Sequence, residues 1–280
     1  MRVFLSLASE AASQAGTLGL PMDASAEGWR IDHILHFTNY AAVTLGGVAM
    51  VWLGISLVRD RRHQMTRYTH GTSPGERALP IAIALFVFLV VDGYLLFRSS
   101  TDLHTSILRV DDALEQPDAL RVQIGARQWG WDVRYPGSDG AFDTGDDIYT
   151  VSKLVVPKGR AVVFELSSGD VVHSFYLPNF RIKQDAIPAA LVRGWFKPAM
   201  VGRYEIACAQ HCGVHHYQMR GYVEVVEEAD YQAWQLAMSL DALRLSTEDL
   251  RTLAEEPSRG VVEGEPAPTR DWAWPWGEMK

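Results

Sequence analysis

Cysteine is almost missing from this chain: Cys208 and Cys212 are the only two in 280 residues. No Cys-x-x-Cys-His run occurs, so the sequence offers no attachment site for a c-type haem. A basic surplus is lacking too. The formal net charge is −8, and no nucleic-acid partner is expected. Charge is scarce within residues 36–58 and 79–97, where Asp92 stands alone in the second stretch. Neither stretch carries a set of axial haem ligands.

What the chain does have is concentrated. Residues 208–219 read Cys-Ala-Gln-His-Cys-Gly-Val-His-His-Tyr-Gln-Met, placing two thiols, imidazoles and a thioether in one loop. Soft sulfur ligands with imidazole suit copper better than magnesium, calcium or manganese. Three other readings compete. Two cysteines four apart could form a strained disulfide. With His211 or His216 they could bind zinc, and Met219 could be ordinary core packing. A further histidine, His173, follows residues 161–166, an apolar run that alternates like a half-buried strand. One histidine from an early strand and the rest from a late loop is a layout that suits copper on a β-sandwich.

The loop, the segment Asp170-Val-Val-His173-Ser-Phe and the run Gln128-Trp129-Gly-Trp131 together resemble subunit II of haem–copper cytochrome c oxidases. The likeness covers roughly residues 33–236. It implies a binuclear copper centre, CuA, in which Cys208 and Cys212 bridge both coppers. His173 and His216 would each cap one copper, with Met219 and the backbone carbonyl of Gln210 as weak axial ligands. His216 is preferred to His215 because it keeps the x3 spacing from Cys212. His211 and His215 then lie around the site, where a ring could tune it through hydrogen bonds. Trp129 would be the exposed indole at which an electron arrives from a haem edge, although Trp131 and Trp129 could equally be packing residues.

The resemblance further implies a two-helix transmembrane hairpin followed by an all-β cupredoxin-like sandwich. The residues agree. Stretches 36–58 and 79–97 are each about long enough to cross a hydrocarbon core of ~30 Å as helices. Between them lie Arg59, Arg61, Arg62, Arg67 and Arg77 against Asp60 and Glu76. Positive loops stay in the cytoplasm, so both termini and the copper domain are expected on the outer side of a bacterial plasma membrane. Asp92 is expected to face a partner subunit or to snorkel toward the helix end. Glu76 stands near where the family has a carboxylate at a proton-channel mouth, but capping the second helix fits its position better. From Gln123 onward short alternating runs are broken by turn residues, which is the pattern of a sandwich or barrel. The expected organisation is residues 1–32 as a cleaved signal or interfacial segment, 33–98 as the hairpin, 99–228 as the CuA domain, and 229–280 as a short helix with an acidic tail.

That tail, residues 227–280, holds five basic and twelve acidic side chains, so −7 of the net −8 sits there. It ends Trp272-Ala-Trp274-Pro-Trp276, which suggests docking on another subunit. Asp139, Asp143, Asp146 and Asp147 cluster in one probable loop. A solvated turn and a docking patch for a positively charged cytochrome c are both open, and no Ca²⁺-ligand pattern is recognisable. Gln210 stands where many relatives have a Glu that helps bind Mg²⁺ at the subunit I interface. An amide is a weaker ligand for a hard cation, which puts that site in question.

The implied function is that of the electron-accepting subunit of a respiratory oxidase. It would take electrons from a c-type cytochrome and relay them to haem in subunit I, where oxygen is reduced. The alternative is the CuA subunit of a nitric oxide reductase.

Overall fold

The computed structural model describes residues 19–61, 70–71 and 73–255. The expectations for residues 1–18, for Arg62 and Arg67, and for Trp272, Trp274 and Trp276 fall outside the described residues. The chain divides into two compact units: Trp29–Leu108, and Met1–Gly28 together with Arg109–Lys280.

The first unit is helical. Helix α1 (Trp29–Asp60) is followed by α2 (Pro74–Val87), a π-helical turn (Phe88–Asp92), α3 (Gly93–Asp102) and a second π turn (Leu103–Ile107). Ser73 caps α2 in a reciprocal box: its Oγ accepts from Glu76 N (3.3 Å) and Glu76 Oε2 accepts from Ser73 N (3.2 Å). Pro74 sits where its missing N–H costs nothing. Both helical stretches are long and apolar enough to cross a membrane. Val48, Trp52, Leu85 and Phe86 point outward, and a helix that is apolar all round needs lipid or protein about it. Asp92 lies on the first π turn and is exposed. The two stretches meet through Phe37 and Tyr94 (ring centroids 4.4 Å apart). Asp102, buried, pairs with Arg30 from the start of α1 (3.1 Å) and with Arg98 (3.2 Å).

The second unit is a sandwich of two five-stranded sheets, in orders β3-β2-β1-β5-β8 and β4-β10-β9-β6-β7. Their strands are β1 (Leu120–Arg127), β2 (Gly130–Tyr135), β3 (Ile148–Val151), β4 (Lys153–Pro157), β5 (Val162–Ser168), β6 (His173–Leu177), β7 (Ile182–Ala186), β8 (Val192–Phe196), β9 (Gly202–Cys208) and β10 (Arg220–Val226). Pairs β1–β5 and β4–β10 are parallel; the rest are antiparallel. Trp131, Tyr135, Phe164, Leu166, Phe175 and Ile206 fill the space between the sheets. Phe164 lies over Gly194 of the neighbouring strand, where a Cβ would fall 2.3 Å from the ring. The expected hairpin and cupredoxin-like β-sandwich are both present.

Strand β2 is buried on both faces, because the excursion after it folds back over its outer side. Arg134 projects there beneath the loop. Its Nε donates to Asp147 Oδ2 (2.9 Å) and its Nη2 to Asp143 Oδ1 (2.7 Å). Asp146 is buried too, and accepts from Ser138 N (2.6 Å) and Thr144 Oγ1 (2.8 Å). The acidic cluster is therefore only half a surface feature. A buried guanidinium needs a counter-charge, and Asp147 supplies it, leaving Asp139 and Asp143 exposed.

Two stretches beyond the strands also join this unit. Residues 21–26 pair with it: Ala24 N donates to Asn179 O (2.8 Å), Ala26 N to Lys197 O (2.9 Å) and Ala199 N to Ala24 O (2.8 Å). Asn179 and Arg181 side chains donate to the carbonyls of Met22 and Pro21. After a short α4 (Val110–Leu114) and the ten strands, α5 runs Glu228–Glu255. It is longer than the helix expected from residues 229–239, since the Leu/Ala/Glu/Arg-rich continuation favours helix. Tyr231 and Trp234 anchor it, the latter 5.1 Å from the Tyr135 ring.

Candidate metal centre

Three adjacent strands of one sheet bring the site together. Strand β6 opens with His173, β9 ends with Cys208, and β10 begins just after Met219. Register fixes them: Phe175 faces Cys208 across β6–β9, Ala209 N donates to Ser174 O (3.0 Å) and Cys208 N to Met219 O (3.1 Å). The loop 209–219 closes on itself through a 3₁₀ turn at His216–Gln218, with Met219 N donating to His216 O (3.2 Å). Both flanks of the loop are thus bonded into the sheet.

The ligand atoms converge. One nitrogen of His173 and the sulfurs of Cys208 and Cys212 all lie within 4.8 Å of one another. The two sulfurs are 3.8 Å apart, too far for the ~2.05 Å bond of a disulfide. At a metal–sulfur length of about 2.3 Å that separation subtends roughly 110° at a shared ion, so both thiolates can reach the same metal. The Met219 sulfur, fully buried, sits 3.1 Å from His173 Nδ1 and 3.7 Å from Cys212 Sγ. His216 Nδ1 lies 3.6 Å from Cys212 Sγ, and the Gln210 carbonyl 3.1 Å from Cys208 Sγ. A thioether inside the cluster goes beyond the Cys, His and carboxylate ligands usual for zinc and fits a softer ion such as copper.

Electrostatics polarise the pair of thiols. Burial pushes Cys208 up, but hydrogen bonding with His173 and with the backbones of Ser174 and Gln210 outweighs it and brings the thiol down to about 6. Cys212, buried and next to Cys208, is pushed up to about 12. The first thiolate is ready to bind a cation, and a cation between the sulfurs would favour loss of the second proton.

A second layer orients the first. His173 Nε2 lies 2.8 Å from Asp170 Oδ1, the carboxylate–histidine arrangement that fixes which ring nitrogen faces a metal. Asp170 also accepts from Gln128 N (2.7 Å). Burial lowers the His173 pKa, but Cys208 and Asp170 hold it above the usual imidazole value. Gln128 Nε2 donates to Cys212 O (2.7 Å). The sequence named Asp170 and Gln128 only as parts of a pattern; an acid three residues before a histidine was the available signal.

Trp129 stands beside this cluster. It is half-buried, against the loop at Gly213 and His215. Trp131 is fully buried beneath His173 (6.2 Å between centroids) and packs on Phe175, so it is a core residue. His211 is exposed, with its ring 5.5 Å from that of His216. Every residue singled out from the loop lies at this end of the sandwich.

Residues 120–226 match the family model described as cytochrome C oxidase subunit II, periplasmic domain. This outer domain is thus similar to the periplasmic domain of cytochrome c oxidase subunit II. It is similar to the alternative cytochrome c oxidase subunit 2 of Bradyrhizobium diazoefficiens, with 37% identity over 139 residues, 42% of this chain and 50% of that protein. It is also similar to cytochrome c oxidase subunit 2 of Cereibacter sphaeroides, with 26% identity over 253 residues, 79% of this chain and 78% of that protein. The match spans about half the length of the first relative. The crystal structure of the periplasmic domain of subunit II of cytochrome oxidase (CoxB) of Bradyrhizobium japonicum is 26% identical, covering 44% of this chain and 94% of that chain, with a TM-score of 0.39.

Proposed function

We propose that this chain is the electron-accepting subunit of a bacterial respiratory haem–copper oxidase and that its cluster holds a binuclear CuA centre. The observation that carries the reading is the convergence of two unbonded cysteine sulfurs, 3.8 Å apart, with His173 and the buried Met219. Cys208, Cys212, His173, His216, Met219 and the Gln210 carbonyl would together hold the two coppers. When bound, the copper pair supplies a one-electron redox couple.

The chain's own residues do the rest. Strands β6, β9 and β10 hold the donors on a hydrogen-bonded frame, so little moves when the charge changes. Asp170 fixes the His173 ring. Met219 and the apolar wall formed by Trp131 and Phe175 set the polarity around sulfur, which tunes potential. Trp129 would receive the electron from a docked c-type cytochrome. The electron then passes to haem in subunit I, where oxygen is reduced to water. Two membrane-crossing helices would anchor the chain in the plasma membrane. The arginines between the two helices would keep that connection in the cytoplasm. Both flanks of the hairpin, like the copper domain, would then lie on the outer side.

The test is copper loading of the full chain in detergent, with metal counting and electron paramagnetic resonance. Two coppers per chain and a hyperfine pattern of one electron shared equally between them are expected. A single-copper signal overturns the ligand set. In the assembled complex, Trp129→Ala should slow cytochrome c oxidation strongly with copper spectra intact. Oxygen consumption rather than nitric oxide consumption by that complex separates the oxidase from the nitric oxide reductase alternative.

A further inference from the structure

The loop that carries Cys212 and His216 has another histidine with no place in the proposed ligand set. His215 meets the indole of Trp129 edge-on, with centroids 4.5 Å apart and ring planes at 86°. The indole also rests on bare backbone. At Gly213 (φ +122°) a Cβ would lie 3.3 Å from both Cζ2 and Nε1 of Trp129, and 2.9 Å from Gln128 Nε2. The Trp129 Nε1–H is buried and makes no hydrogen bond. Van der Waals contact and one aromatic edge hold this ring, since no polar contact anchors it. His215 is exposed, so its ring is not part of the core and its contact with Trp129 is the role the geometry gives it.

We infer that His215 is a positioning residue for electron transfer through Trp129: its imidazole, set perpendicular to the indole, keeps the indole seated on Gly213, one peptide bond from Cys212. The inference rests on the reading of Trp129 as the point where the electron arrives. In the step concerned, one electron leaves a ferrous c-type haem, which becomes ferric, and reduces the centre by one electron; no bond in the chain forms or breaks. Transfer rates fall steeply when a relay group tilts away, whereas metal binding does not depend on where an indole points. His215 should therefore govern rate while leaving the copper unchanged.

The experiment uses the assembled oxidase carrying His215→Ala, His215→Phe or Trp129→Ala, mixed rapidly with reduced cytochrome c. His215→Ala is expected to lower the maximal transfer rate by about tenfold, within the loss that a 1 Å misplacement can cause. Half-saturating cytochrome c, copper content and the paramagnetic spectrum should not change. His215→Phe, which restores an aromatic edge, should recover most of the rate. A wild-type rate in His215→Ala, or a Phe variant as slow as the Ala variant, overturns the inference. Loss of copper from His215→Ala also overturns it, because the ring would then be part of the metal loop's scaffold. Trp129→Ala separates the two ideas: an unchanged rate there sinks the reading of Trp129 itself, while a slow Trp129→Ala beside a normal His215→Ala sinks only the role of His215.

Discussion

Asp147→Asn tests whether the acidic loop is built for docking or for holding β2. The Asp147 carboxylate accepts from Arg134 Nε (2.9 Å) and from Asp143 N (2.9 Å). The side chains of Asp147 and Arg134 are 1% and 4% exposed. Removing one charge of a buried pair costs about 3–5 kcal/mol, because the other is left uncompensated. Asp143 Oδ1 still reaches Arg134 Nη2 at 2.7 Å, but that side chain is 85% exposed. Its partial rescue places the expected loss near the lower end, about 3 kcal/mol. For a unit of this size that is a fall in Tm of roughly 6–12 °C. Thermal unfolding of the full chain in detergent, followed by near-ultraviolet circular dichroism, measures it. Asp139→Asn, on the exposed part of the loop, should stay within about 0.5 kcal/mol of wild type. If Asp147→Asn moved Tm by less than about 2 °C, the buried-pair account of this loop would be refuted, and the carboxylate would return to the list of docking charges.

Other expectations concern the metal. Met219→Leu should keep two coppers and shift the reduction potential, since a thioether is a weaker donor than thiolate or imidazole; redox titration against the wild type reads it, and an unchanged potential would remove Met219 from the proposed ligand set. Cys208→Ser should abolish the shared-electron signal, because a hydroxyl is a far poorer copper ligand than a thiolate; a surviving delocalised pair would show the proposed assignment to be wrong. Asp170→Asn should weaken copper retention by about 10–100-fold, as loss of a carboxylate behind a ligating histidine does; copper competition with a chelator measures this, and unaltered retention would make the Asp170–His173 contact incidental.

How much was legible depended on where the information sits. Cys208, Cys212, His216 and Met219 are close in sequence, so their spacing alone brings the donors near one another, and the structure keeps them together. His173 lies 35 positions before Cys208 and was legible only because an apolar run before it reads as a strand. The backbone-made features were silent. Residues 21–26 join the sandwich through their own main-chain N–H and C=O groups, which leave no mark on residue type. Arg134 was not singled out, for a different reason. In the alternation Trp131, Val133, Tyr135 it occupies an outward position and reads as a solvated charge. Only the fold shows that a later loop covers it and that two of the four aspartates are spent on it.

The same contrast explains why the site sits where it does. A loop of twelve residues with two glycine-free ends and four donors would be mobile by itself, yet here Cys208 closes β9 and Met219 directly precedes β10. The hydrogen bond from Cys208 N to Met219 O links the two ends, so the first and last donors are fixed relative to each other before any metal binds. His173 enters from β6, the neighbour of β9 on its other side, and Gln128 reaches over from the opposite sheet to the Cys212 carbonyl. Both sheets therefore hold the donor set, and a change of charge at the sulfurs meets a frame with little freedom to relax. Such a frame suits one-electron transfer better than catalysis, which would need an open position for a substrate. Met219 and His173 fill the interior side instead, while Trp129 and His215 stand at the outer side, where the proposed electron entry would lie.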